Sequence, residues 1–246
     1  MIKFFRKIRQ NLLNKNKIGK YLLYSIGEVL LVVIGILIAL QLNNQNELRK
    51  QRIVEIDILE GIRKDILRDT IDLNTNIRGT RNGIETVSFL IDHILNKKEL
   101  NKNFIAELHY ITVSKSFIIL HDSHFQEAKQ KGLSIISNET LRDDINNLYE
   151  FDYEFLSLLV NNTENIDYSN ILSREIGPYF GYDGTDLTMT SLSYKKFLEH
   201  SDNILYHINS SRGGKYQLLY IHRKTLEAAL KVADNIKIEI DALKTN

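Results

Sequence analysis

Glu28 stands in Y-S-I-G-E-V-L-L-V-V-I-G, a carboxylate followed by a dozen strongly apolar positions. A bare carboxylate in such surroundings is costly, so it must be protonated or hydrogen-bonded. Ser25, three residues earlier, and Tyr24, four earlier, share its helical face and can supply the bond. Two chemistries fit an acid so placed: a polar contact with a neighbouring membrane helix, or proton coupling. Gly27, Leu31, Gly35 and Ala39 fall four apart along one strip bordering Glu28, and Gly35-x-x-x-Ala39 is a small-xxx-small step that lets helix backbones approach.

Other constellations carry less. His121 and His124 in H-D-S-H, with Asp122, supply imidazole and carboxylate donors, but a metal site needs a third or fourth ligand that spacing does not identify. S-S-R-G-G-K, residues 210–215, lacks the glycine and lysine order of a phosphate loop. D-G-T-D, residues 183–186, is too short for a calcium loop. Neither a Ser-His-Asp nor a Cys-His arrangement can be drawn, and the chain has no cysteine. The sequence therefore nominates no catalytic residue, metal, cofactor or small-molecule substrate, and the expectation is a protein that is not an enzyme.

The elements that position Glu28 are clearer. Residues 21–42 contain no Lys or Arg and include a nearly unbroken aliphatic block, long enough to cross a hydrocarbon core of about 30 Å. One acid costs about 2.5–3.5 kcal/mol at a helix centre, whereas ten aliphatics recover roughly 3–6 kcal/mol, so insertion wins. The stretch is too long for a signal peptide and no A-x-A cleavage pattern follows it, so it reads as an uncleaved transmembrane helix. Seven cations and no acid precede it, which by the positive-inside rule puts the N-terminus in the cytoplasm and residues 43–246 outside. Within residues 1–20, Met1, Phe4, Phe5, Ile8 and Leu12 recur at helical spacing opposite Lys3, Arg6, Lys7 and Arg9. That pattern fits an amphipathic helix on an anionic leaflet, and equally a plain topogenic charge cluster.

Beyond the span the chain holds 25 basic and 30 acidic residues, which argues against nucleic acid as a partner. Its apolar period is helical. Ile56, Leu59, Ile62, Ile66, Leu73, Ile77, Ile84, Val87, Ile91 and Ile94 draw one stripe, through a weak or kinked passage at Gly79 and Gly83. A second stripe runs through Leu219, Leu226, Leu230, Ala233, Ile236, Ile240 and Leu243, in a helix expected from residue 215 onward. Between them the pattern predicts a helix over 104–113, one over 123–131 opened by a Ser123-x-x-Gln126 capping box and closed at Gly132, and one capped by Asn138. In the last, Leu141, Ile145, Leu148, Phe155 and Leu159 are expected to share a face. Residues 177–190 read as an irregular surface loop and 193–208 as helix. The expected fold is all-α: a transmembrane helix continuing into a long amphipathic helix, packed with a C-terminal helix and shorter ones as an extracytoplasmic bundle.

The stretch M-I-K-F-F-R-K-I-R-Q-N-L-L, followed by Y-x-I-G-E-V-x-L-V-V-I-G-I-L-I-A-L-Q-L-N-N-x-N-E, resembles a family of uncharacterised single-span membrane proteins of Gram-negative bacteria, known as a domain of unknown function. Residues 125–149, F-Q-E-A-K-Q-K-G-L-S-I-I-S-N-E-T-L-R-D-D-I-N-N-L-Y, resemble that family's middle region. The chain departs from the family at Gln45, where tryptophan is common. The resemblance implies an inner-membrane anchor with a periplasmic helical domain, and no activity. The functional expectation is a membrane-anchored interaction or scaffold protein whose partners are the lipid bilayer and either a second copy or another membrane protein. The alternative is an ion-coupled, single-span energy-transducer subunit that uses Glu28.

Overall fold

The computed structural model describes residues 18–115, 117–161 and 168–245, and the chain is all-α. It divides into two compact units, Met1–Val54 and Glu55–Asn246. Helix α1, Ile18–Leu95, contributes to both.

In the first unit, every residue of 26–51 except Glu28 is exposed. The most apolar window of α1 has a mean hydropathy of 2.4 and none of it is buried in protein, so α1 is long and apolar enough to cross a membrane. A core helix of similar composition would be covered by its own fold; this one is not. Residues 1–17, with the basic tail, lie outside the described residues.

The second unit is a helical bundle. After α1 come α2 (Lys102–Val113), α3 (Ser123–Lys131), α4 (Glu139–Asn147), a π-helix (Leu148–Tyr153), α5 (Glu154–Asn161), α6 (Ser169–Ile176), α7 (Ser191–Glu199) and α8 (Ser201–Thr245). One core cluster joins Ile58, Leu59, Ile62 and Ile66 of α1 to Ala229, Val232, Ala233 and Ile236 of α8, with Phe125, Ile145 and Tyr149 closing the third side. A second cluster gathers Val87, Leu90 and Ile94 of α1 with Phe104, Leu108, Leu172 and Phe197. Leu73, Leu156, Val160 and Leu218 form a smaller one. The predicted stripe of α1 supplies most of these contacts, which is why so long a helix is held: amphipathic burial stabilises it where propensity alone would not.

Some features agree with the sequence reading and others differ from it. Through Gly79 and Gly83 α1 stays helical without interruption. Gly83 is buried under the Lys215 chain, whose Cδ would stand 3.3 Å from a Cβ there, so this glycine serves close approach. The capping box of α3 does not form. Asp122 is the N-cap residue, Gln126 donates to its carboxylate at 3.0 Å, and the Ser123 hydroxyl donates to Asp65 instead. Asn138 does cap α4, accepting from the Leu141 amide, and Gly132 ends α3 at φ +90°.

Leu141, Ile145 and Leu148 share a buried face, but Phe155 is exposed and Leu159 only half-buried, while Tyr149, Tyr153, Leu156 and Val160 face the core. The π-helix accommodates one residue more than an α-helix would, so the inward face advances by one position beyond it. Leu230 of α8 is 44% exposed. The core-facing positions of α8 are Ala229, Val232, Ala233 and Ile236, with Arg63 Nε donating to the Ala233 carbonyl at 3.1 Å, and Leu230 lies off that face. Residues 193–208 are not one helix: α7 ends at Glu199 and α8 begins at Ser201, passing through Gly213 because its buried face outweighs the low helix propensity of glycine. The expected loop at 177–190 holds a 3₁₀ turn, Gly177–Tyr179, and a hairpin of two-residue strands, β1 (Gly181–Tyr182) and β2 (Leu187–Thr188). Gly181 pairs with Thr188 and Tyr182 with Leu187.

Candidate functional site

In the first unit, the residues singled out by sequence present an open helix face. Gly27, Leu31, Gly35 and Ala39 are all exposed, and nothing in the protein comes within 4 Å of a Cβ built at Gly27 or Gly35. Ser25 and Glu28 are half-buried. The arrangement is a carboxyl group bordering a strip on which a second backbone can lie close. The side chain of Tyr24, and Lys3, Arg6, Lys7 and Arg9, lie outside the described residues.

The second unit contains a constellation that sequence reasoning missed. Gly61, Asp65 and Asp69 are spaced four apart on α1, facing the segment that enters α3. Asp65 and Asp69 are 1% and 0% exposed. His124 Nδ1 lies 2.7 Å from Asp65 Oδ2, and His121 Nδ1 lies 2.8 Å from Asp69 Oδ1. The backbone amides of the two histidines donate to the same oxygens, at 3.3 and 2.9 Å. Gly61 is required by this docking: a Cβ there would stand 2.2 Å from His124 Cδ2. The π-helix brings Tyr149 and Tyr153 beneath the pair. The Tyr149 hydroxyl donates to the His121 carbonyl at 3.3 Å, and both rings join the core around Phe125.

The two carboxylates differ electrically. Burial pushes Asp65 up, but the hydrogen bonds and charge of His124 outweigh it and leave the group below the usual carboxylate range. Burial dominates at Asp69 and raises it despite His121. An imidazole that donates Nδ1–H to a carboxylate keeps Nε2 as an acceptor, the disposition of a general base or a metal ligand. Among the described residues, however, no three His, Asp or Glu side chains converge on a point where they could hold a metal. What the geometry does accomplish is mechanical: two acids on α1 hold the entry to α3. Glu55 repeats the device, accepting from the Ser137 amide and hydroxyl at 2.7 and 2.8 Å. A signal for these positions exists in the sequence, since Asp65 and Asp69 interrupt the side of α1 that carries Ile58, Ile62 and Ile66, and an acid on a buried face demands a partner.

Two other motifs have structural roles. Asp183 of D-G-T-D accepts three bonds within its own loop, from the Thr185 amide and hydroxyl and the Asp186 amide, at 2.8–2.9 Å. Those donors hold its carboxyl down at about 2 and close the hairpin, with Gly184 at φ +100°. S-S-R-G-G-K lies inside α8, where no phosphate-cradling loop is formed.

A sequence model of a family of unknown function, DUF6090, matches residues 28–210. That span includes the middle region, 125–149, and starts at Glu28. No curated protein and no solved structure matches the chain.

Proposed function

The chain belongs to this family of unknown function, DUF6090, and from that premise we propose that it is a membrane-anchored helical interaction or scaffold protein. In this reading residues 1–20 form a basic cytoplasmic tail, 21–42 a single span of a bacterial inner membrane, and 43–246 a periplasmic helical domain. The observation that carries it is the uncovered apolar length of α1, with a mean hydropathy of 2.4 and no burial. Water does not tolerate so large a continuous apolar surface, and a bilayer covers it. The strip of Gly27, Leu31, Gly35 and Ala39 supports association of the span with a second copy or a partner membrane protein, with Glu28 as a hydrogen-bonding group beside the seam.

The test has two parts. Protease added outside spheroplasts digests residues 43–246 and leaves a membrane-embedded fragment carrying the N-terminus; an untouched C-terminal part, or recovery of uncut chain in the aqueous fraction, refutes the topology. Glu28→Gln then separates assembly from ion coupling. A neutral hydrogen-bonding substitute preserves association of the span, whereas a proton-coupled mechanism fails with it.

A further inference from the structure

Between α1 and α8 lies an open groove of about 490 Å³, floored by Leu67, Ile71 and Ile240 and rimmed by Lys64, Arg68 and Lys237. Its one acid, Glu60, is engaged by Lys244 at 2.7 Å. Among the described residues no carboxylate pairs with Lys64, Arg68 or Lys237. This cationic rim runs against its surroundings, because residues 55–246 hold 22 basic and 29 acidic residues.

The opposite chemistry stands on the π-helix and α5. Phe151, Phe155 and Leu158 are 70%, 52% and 55% exposed, at the three- and four-residue spacing of one helix face. Glu154, exposed, flanks this apolar ridge together with Glu150, which is exposed and engaged by Lys129 at 2.7 Å, so Glu154 is the acid left to face a partner. Phe117 and Ile119, also exposed, lie on the segment whose alternate residues Ile118 and Leu120 border the same helices. An apolar, acid-flanked ridge and an apolar, base-rimmed groove are complementary in both charge and surface.

They cannot satisfy each other within one chain. Groove and ridge flank the same stretch of core, where Ile62 and Ile66 pack in one cluster with Tyr149 and Tyr153, but no ridge residue lines the groove. We propose that the acidic ridge of one copy docks in the basic groove of a second copy. The proposal rests on the reading that the protein associates with itself, and adds the surface through which its helical domain does so. Because ridge and groove sit at the same level of the unit, copies placed side by side with parallel helices can engage. The contact is heterologous, so each copy offers a free groove and a free ridge, and a ring or a row follows. A second copy fits better than an acyl chain, since the groove is open along its length and would leave a lipid tail in water.

The chain has no cysteine, which makes the test direct. Full-length protein in its own membrane carries Ile71→Cys in one tagged copy and Leu158→Cys in another, with a short bismaleimide as crosslinker. The expected product joins groove to ridge, several-fold above groove-to-groove or ridge-to-ridge. Adding Lys64→Glu with Arg68→Glu to the groove copy, or Glu150→Lys with Glu154→Lys to the ridge copy, lowers the yield about tenfold, since like charges then face each other. Combining the two reversed copies restores it. Gly35→Cys reports span association separately. If Gly35→Cys copies crosslink while groove and ridge do not, the docking proposal falls and the scaffold reading stands; if neither pair crosslinks, the docking proposal falls together with self-association of the span. Ile71→Cys crosslinked to itself, to a different protein or to a lipid-borne maleimide also overturns the proposal.

Discussion

Replacing Gly61 by alanine reverses the usual effect of that substitution. In an exposed helix Gly→Ala is favourable by about 1 kcal/mol. Here the new Cβ would stand 2.2 Å from His124 Cδ2 and 2.5 Å from Cγ, so the imidazole must leave. Its departure breaks the 2.7 Å bond to Asp65 and leaves a carboxylate that is 1% exposed with longer contacts at 3.3 Å, from the His124 amide and the Ser123 hydroxyl. A hydrogen bond to a charged group contributes about 1.5–3 kcal/mol, and an under-satisfied buried acid costs about 1–3 kcal/mol more. After subtracting the helix gain, G61A destabilises by about 1.5–5 kcal/mol, which lowers Tm by several degrees or more in a unit of this size. Denaturation of the full chain in detergent, followed by circular dichroism, measures it. The decisive comparison is the His124→Ala background, where nothing remains to clash and G61A should stabilise. Equal effects in the two backgrounds, or a G61A protein as stable as the parent, would refute the argument that Gly61 exists to admit the ring.

Three further outcomes can be measured in the same way. Burial holds His222 down to about 4, so it is neutral in the folded chain while its unfolded counterpart titrates near 6.5. Stability is therefore full above about pH 6.5 and falls as pH drops towards 4, with a loss on the order of 2 kcal/mol between pH 7 and 5; H222L should flatten that slope, and an unchanged slope contradicts the assignment. Glu55→Ala strips the Ser137 amide and hydroxyl of their acceptor and should cost about 2–3 kcal/mol, against a near-neutral change at exposed Glu47. Ile66→Ala, at a fully buried position of the largest cluster, should cost about 2–5 kcal/mol and lower the denaturation midpoint without altering helix content in the folded state.

The fold was legible where periodicity carries it. The stripe through Ile56, Leu59, Ile62 and Ile66 predicts α1, and Asn138 and Gly132 mark helix ends, because these signals are local. Leu230 and Phe155 were misread for non-local reasons. The first depends on which face of α8, the one through Ala229, Val232 and Ala233, is turned to α1, the second on an extra residue absorbed in a π-helix; neither leaves a mark in a window of neighbouring residues. The same limit applies to the site. Glu28 and the small residues beside it could be found because a charge in an apolar run is conspicuous, whereas Asp65 and Asp69 interrupt an apolar face among many acids and the partners that explain them lie more than fifty positions away.

The π-helix has an evolutionary implication. Because core residues on both sides already face inward with the surplus position accommodated, removing one residue between Leu148 and Tyr153 restores an ordinary α-helix without turning any of them out. Most deletions inside a packed helix rotate everything downstream, but a lost codon here would leave the interior aligned. What it would take away is one of the outward side chains, Glu150 or Phe151 among them. The bundle does not require that extra amino acid for its own packing; the surface it displays does.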